Sequence, residues 1–384
     1  MNPVYQALGT TIFETMSGLA REHGAINLGQ GFPDAPGPRE VLEAAARALL
    51  EQSNQYPPMA GLPQLRDAIA AHYRQHQGLD LCRENVIVTS GATEALAAAI
   101  LAVVSPGDEV LVFEPCYDAY RPLVERAGGT VIAVPLSSPD WRYSRAEIEA
   151  AITPRTRAMI VNDPLNPTGS VASTDDLRML AELCVAHDLI AICDEVWEQM
   201  RFDGQPHRSL LGEPGMAERA IKIGSAGKIF SLTGWKVGWL CLGSTLADPV
   251  GRAHQFLTFT TPPNLQWAVA EGLAHPPQWF DRQRAAYAAS RQRLQRGLAA
   301  AGYALVPGAA TWFVLVDLAA SGIALDDATF CDRLVREAGV AAIPVSAFCA
   351  TPPRQQLVRL CFTKGDDVLD EALQRLARFR ASLA

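Results

Sequence analysis

The chain has no run of lysine and arginine, no CxxC pair, no internal repeat, no low-complexity tract, and no stretch approaching ~18 uninterrupted apolar residues. Each absence removes a class of function. Without a basic patch, and with a formal net charge of −8, neither a nucleic-acid partner nor a membrane face is expected. Small anionic ligands are not excluded, because a local cationic pocket matters more to them than global charge. Met1–Ala20 lacks the basic and apolar regions of a secretory leader, so a cytoplasmic location is the expectation. The eight cysteines are scattered through mostly apolar segments, which predicts buried reduced thiols rather than a zinc site or a redox dithiol. No metal is expected.

What is present is an ordinary globular composition, with 49% apolar and 19% charged residues in 384. That length exceeds what one hydrophobic core fills, so a large and a small domain are expected. From about residue 84 to 243, short runs rich in Val and Ile alternate with helix-period segments. Candidate strands are Asn85–Thr89, Glu109–Phe113, Thr130–Val134, Ala158–Val161, Leu189–Cys193, Ala220–Ile223 and Val237–Leu242. Candidate helices between them are Thr93–Val104, Ser144–Ile152 and Thr174–His187, the last with Ser173 or Thr174 as N-cap and Asp175 and Asp176 in its first turn. Continuous apolar strands separated by helices indicate a mostly parallel sheet covered on both faces. Residues 1–40 read as irregular, from the clustering of Gly29, Gly31, Pro33, Pro36, Gly37 and Pro38. A long helix over Gln278–Ala301 leads to a smaller α/β layer.

Four segments place reactive side chains where strands end. Gly224–Trp239 carries Lys228 and Lys236 among small residues that let backbone approach a ligand. Ser90–Ala95 follows a strand and opens a helix, a site for an anion on free N–H groups. Asn162–Gly169 presents Asn166 on a turn, and Leu189–Cys193 runs into Asp194. In open α/β sheets ligands bind at the carboxyl edge, so the four can converge on one pocket. A Gly-rich connection with solvated lysines, and a surface carboxylate at Asp194, are the plainer readings of each alone. Walker A fails because Lys228 is followed by Ile229, and the dinucleotide fingerprint fails because Gly29-Gln30-Gly31 has no third glycine.

Taken in order, Asn166–Gly169 (NPTG), Asp194–Val196 (DEV) and Ser225–Gly238 (SAGKIFSLTGWKVG) resemble class I aminotransferases of pyridoxal-phosphate (PLP) fold type I. Ile26–Pro33, Asn54–Gly61 and Val358–Lys364 extend the match, and Leu8–Phe13 and Val340–Cys349 are similar to the methionine and kynurenine/glutamine aminotransferase branch. The resemblance implies an aspartate-aminotransferase-like α/β fold, with a mostly parallel seven-stranded sheet in a large domain (41–283). A small α/β domain (284–384) is joined by the N-terminal segment (1–40). It implies PLP as cofactor, amino-acid and 2-oxo-acid substrates, and a homodimer with shared active sites.

Residue by residue, the resemblance makes Lys228 the Schiff-base lysine and proton shuttle. Asp194 pairs with the pyridine nitrogen and Asn166 with the phenolic oxygen. Gly91, Ala92, Thr93, Ser225 and Lys236 hold the phosphate, with Tyr56 from the neighbouring subunit. Tyr117 stacks on the ring. Arg359 grips the substrate carboxylate as a planar fork. Gly31 closes over it, and Phe13 is a pocket aromatic. At position 197 the family has tyrosine and this chain has Trp197, which can donate but neither ionise nor accept, so a shifted imine pKa, slower transamination or an unusual substrate is expected. Ala310-Thr311-Trp312 departs from the Gly-Thr-Tyr expected there. The favoured reaction is transamination from methionine, an aromatic amino acid, glutamine or kynurenine. A C–S β-lyase could use the same Lys228 and Asp194, and a non-catalytic PLP-binding protein is the third reading.

Overall fold

The computed structural model describes residues 1–350 and 355–383. A short strand, β1 (Ile26–Asn27), precedes seven strands of a central sheet: β2 (Val86–Thr89), β3 (Glu109–Glu114), β4 (Thr130–Pro135), β5 (Thr156–Asn162), β6 (Ile190–Asp194), β7 (Ala220–Ser225) and β8 (Gly238–Leu242). Their spatial order is β2-β8-β7-β6-β5-β3-β4. β8 runs antiparallel to both its neighbours, and every other pairing in this sheet is parallel. Both faces are buried. Ile160, Ile192, Ile223 and Leu240 pack into one apolar cluster, while Met159, Val161, Ala191, Cys193 and Cys241 pack into the other. Alternate residues of one strand therefore serve two cores, which is why the strands read as unbroken apolar runs.

Helices cover the sheet, and one of them has the cap the sequence suggested. Thr174–Ala186 opens on Ser173, whose hydroxyl accepts from the Asp176 N–H while Asp176 returns a bond to the Ser173 N–H. Ser144 caps Arg145–Ala151 in the same sense. All eight cysteines are free, and Cys184, Cys193, Cys241, Cys331 and Cys361 are buried. The 24-residue helix Pro277–Ala300, about 36 Å long by its rise, leads into β9 (Ala304–Val306) and β10 (Phe313–Asp317). These pair with β12 (Ile343–Pro344) and β13 (Leu357–Cys361) in an antiparallel sheet of order β12-β13-β10-β9. β11 (Val340–Ala341) pairs with β1 instead, so the N-terminal segment is hydrogen-bonded to the C-terminal third.

One expectation is corrected. Residues 1–40 are not irregular throughout, because Ile12–Glu22 is an 11-residue helix. Thr11 caps it by accepting from the Glu14 N–H, and it buries Met16, Ser17 and Ala20 against the core. The Gly/Pro cluster that suggested irregularity begins only after β1. Among the described residues no helix is long and apolar enough to cross a membrane.

Candidate active site

The register of the central sheet brings the site together. Asn162, the last residue of β5, lies opposite Asp194, the last of β6, and Ser225, the last of β7, lies opposite Gly238, the first of β8. A cavity of about 250 Å³ opens along this edge. Gly91, Ala92, Thr93, Tyr117, Asn166, Asp194, Trp197, Ser225, Lys228 and Lys236 all line it. Residues spread over nearly 150 positions of sequence thus meet because five strands finish on one side.

At one end is an anion cradle. The helix Ala92–Val103 points its N-terminus into the cavity, and Gly91 precedes it with φ of +80°. A Cβ at Gly238 would come within 2.7 Å of the Gly91 carbonyl carbon and 2.8 Å of the Ala92 nitrogen, so only glycine permits this contact between β8 and the helix start. Lys236 lies directly over Gly91, its Nζ 3.3 Å from where a Cβ would stand. Free N–H groups, the Ser225 hydroxyl and an ammonium are the donor set of a phosphate site.

The middle holds Asp194 and Lys228. Asp194 Oδ2 accepts from the Tyr120 hydroxyl at 2.7 Å, while Oδ1 is buried with no partner among the described residues. Burial pushes this carboxyl above its usual range, against the pull of Tyr120, the Val196 N–H and Lys228. The orphaned oxygen calls for a buried cationic N–H. Lys228 follows β7 on the short helix Ala226–Ile229, and its Nζ donates to the Gly31 carbonyl at 3.4 Å. Burial pulls the amine down to about 8; Arg359 and Lys236 push the same way, and Cys361 and Asp194 oppose them. A lysine in that range is a usable nucleophile near neutral pH.

Beside the cavity, β13 carries Arg359, 1% exposed. Its Nη1 donates to Asn166 Oδ1 at 2.8 Å and its Nη2 to the Gly29 carbonyl at 2.7 Å, while Nε is buried without a partner. The guanidinium carbon lies 3.8 Å from the Phe313 ring centroid and 5.2 Å from those of Phe13 and Phe348. Burial draws its pKa below the usual arginine range, a cost that a bound carboxylate would offset. Gly31 sits against Phe313, where a Cβ would be 2.8 Å from the ring. Tyr56 does not reach this chain's cavity: it is 84% exposed and packs edge-on against Phe259.

Sequence reasoning missed Tyr120, Phe313 and Phe348. Tyr120 stands one turn beyond Tyr117, and that spacing was its one signal. The two phenylalanines carried none, since an aromatic in an apolar segment, here β10 for Phe313 and the short helical turn Val345–Phe348 for Phe348, is usually core. Also missed was a buried polar cluster between β6 and β7, where Lys222 bonds the carboxylates of both Glu195 and Glu198. Glu195, Glu198 and His207 have the spacing of metal ligands, but the Lys222 ammonium already bonds both carboxylates and occupies the position between them.

The donor set fits pyridoxal phosphate: an amine for its aldehyde, an orphaned carboxylate oxygen for its ring nitrogen, and a cradle for its phosphate. Comparison with known proteins agrees. The profile of the family "Aminotransferase class I and II" matches residues 23–376. The solved structure of N-succinyldiaminopimelate aminotransferase from Mycobacterium tuberculosis is similar at a TM-score of 0.94 and 45% identity, covering 98% of this chain and 99% of that one. The methionine aminotransferase of Escherichia coli is 41% identical over 370 residues, 96% of each chain. Human kynurenine–oxoglutarate transaminase 1 is 34% identical over 399 residues, covering 95% of this chain and 94% of its own. The chain belongs to the class I and II aminotransferases and is a PLP-dependent enzyme of aspartate-aminotransferase-like fold.

Proposed function

We propose that this aminotransferase takes its amino group from an apolar α-amino acid, methionine or an aromatic one, and passes it to a 2-oxo acid. The observation that carries the reading is the surround of Arg359. One buried guanidinium is ringed by Phe13, Phe313 and Phe348, and the remaining cations at the cavity are Lys228 and Lys236. Arg359 suits the α-carboxylate and the rings suit an apolar side chain. Glutamine and kynurenine remain secondary donors on the strength of the family branch.

In this reading each residue acts by its place. PLP, when bound, supplies an aldehyde for amine attachment and a ring that takes up the electron pair left at the donor's Cα. Lys228 holds it covalently and, once freed, moves a proton from the donor's Cα to the cofactor's C4′. Asp194, steadied by Tyr120, keeps a proton on the ring nitrogen. Asn166 divides its amide between Arg359, through Oδ1, and the phenolic oxygen, through Nδ2. Gly91, Ala92, Thr93, Ser225 and Lys236 bind phosphate, Tyr117 stacks on the ring, Trp197 walls the cavity, and Gly31 closes over the carboxylate. The functional unit is a homodimer: exposed Tyr56, edge-on against Phe259, reaches the phosphate of the neighbouring copy. The division into 1–40, 41–283 and 284–384 belongs to the same proposal.

A panel of amino donors against two or three 2-oxo acids tests it, with the sedimenting mass read in parallel. Methionine or an aromatic donor should exceed aspartate and N-succinyldiaminopimelate in kcat/KM. A preference for the dicarboxylic donors, or pyruvate and ammonia released from a cysteine conjugate without any 2-oxo acid, would overturn it.

A further inference from the structure

Lys228 has neighbours that the reading above leaves idle. Its Nζ lies 4.7 Å from the ring centroid of Trp197 and 5.0 Å from that of Trp312. The two indoles meet edge to face, centroids 4.9 Å apart and planes at 78°, so they form two walls of one corner. Both are fixed. Trp312 is fully buried and Trp197 is 3% exposed, with the Phe313 ring 5.4 Å from Trp197 and Tyr287 6.0 Å from Trp312. They arrive from separate elements, Trp197 just past β6 and Trp312 just before β10.

An indole neither ionises nor accepts a conventional hydrogen bond; what it offers a cation is the negative face of its ring. The other groups facing the amine are Asp194 from β6, Lys236 ahead of β8, and Arg359 and Cys361 from β13, with the Gly31 carbonyl from the N-terminal loop. Two of these are cations. The single carboxylate has one oxygen bonded to Tyr120, and its other oxygen is the ring-nitrogen partner in the proposed function. Among the described residues an ammonium at Lys228 therefore has no anion of its own, and the indole faces are what remains to it.

We propose that Trp197 and Trp312 form a two-walled cage that holds the Lys228 ammonium whenever that nitrogen is not joined to the cofactor. They are positioning residues. The cage sets where the freed amine waits and how firmly it keeps the proton that must return during the reaction. This rests on the reading of Lys228 as the cofactor lysine, and adds to it the groups that replace a counter-ion.

The full-length chain, stripped of cofactor, has only four lysines, Lys222, Lys228, Lys236 and Lys364. Competitive acylation with trace acetic anhydride across a pH series, followed by peptide mass mapping, therefore reads each amine separately. Lys222, sealed between two carboxylates, is the unreactive reference. Replacing Trp197 by leucine keeps the corner dry but removes a π face. The apparent pKa of Lys228 should fall by about one unit in Trp197→Leu, by less in Trp197→Phe, and by more in the Trp197→Leu/Trp312→Leu double variant. A purely structural role predicts no such order. Values that agree within about 0.2 unit across the series, or that rise, would overturn the cage. Trp312→Phe and Trp312→Leu supply the same graded test from the other wall should Trp197→Leu fail to fold. The two claims fail separately: a cofactor-derived mass found after borohydride reduction on a lysine other than Lys228 sinks the function reading, and a flat titration sinks only the cage.

Discussion

Two lysines six residues apart on and just after β7, Lys222 and Lys228, show what burial does with and without partners. Lys222 is 0% exposed, and burial alone would strip its proton. Attraction from Glu195 and Glu198 more than offsets that and raises its pKa. Glu195 answers in kind: burial pushes it up, but Lys222 and His207 draw it down to about 2. Further donors surround both acids, with His207 and Ser209 each 2.8 Å from Glu195, and Tyr73 at 2.8 Å and Gln77 at 2.6 Å from Glu198. Lys228 has no such shell, and burial leaves it at about 8. A satisfied charge is structure, and an unsatisfied one is available for chemistry.

The comparison can be broken from either side. The largest effect belongs to Lys228→Ala, which should cut kcat by at least about 10³-fold while leaving thermal stability of the cofactor-free chain equal or higher. Steady-state assays and a melting curve check both halves. Lys222→Met should do the reverse. Two buried carboxylates lose their cation, so stability falls by about 3–5 kcal/mol, read by urea denaturation, with the site chemistry intact in whatever remains folded. Arg359→Lys tests the middle case, a buried cation waiting for a substrate. It keeps the charge and loses the fork, and kcat/KM should drop about 10–100-fold, mostly through KM.

The smallest effect is a pH slope, and it distinguishes the lysines by sign. Lys228 in the folded cofactor-free chain titrates near 8, below the ordinary 10.5. Between those values the unfolded chain binds more protons, so this group makes stability rise with pH across that window, and Lys228→Met should abolish the rise. Lys222 has a raised folded pKa, so its contribution is whole below the ordinary 10.5 and is lost only above it. Glu195, depressed to about 2, contributes fully above about 4.5 and loses its contribution as pH falls toward 2. Denaturation midpoints over a pH series would show these opposite trends.

Much of the site could be read from sequence because strand ends advertise themselves. Asp194, Asn166 and Ser225 each follow an apolar run, and Gly91 breaks one just before a helix. What could not be read depended on contacts between distant segments. The rings of Phe313 and Phe348 join Phe13 around Arg359 from separate elements, and no local pattern distinguishes those two from core aromatics. Lys222 looked like a residue of an ordinary strand, since its partners Glu195 and Glu198 lie in the turn after a different one. The helix Ile12–Glu22 was hidden by the Gly/Pro cluster that follows it, although Thr11 and Glu14 carried its N-terminal signal.

Borohydride reduction of the holoenzyme, followed by peptide mapping, tests the central claim most directly, because a reduced imine marks its lysine permanently. The account predicts the cofactor-derived mass on the peptide containing Lys228, at near one equivalent per chain. The same mass on Lys222, Lys236 or Lys364, with Lys228 unmodified, would contradict it.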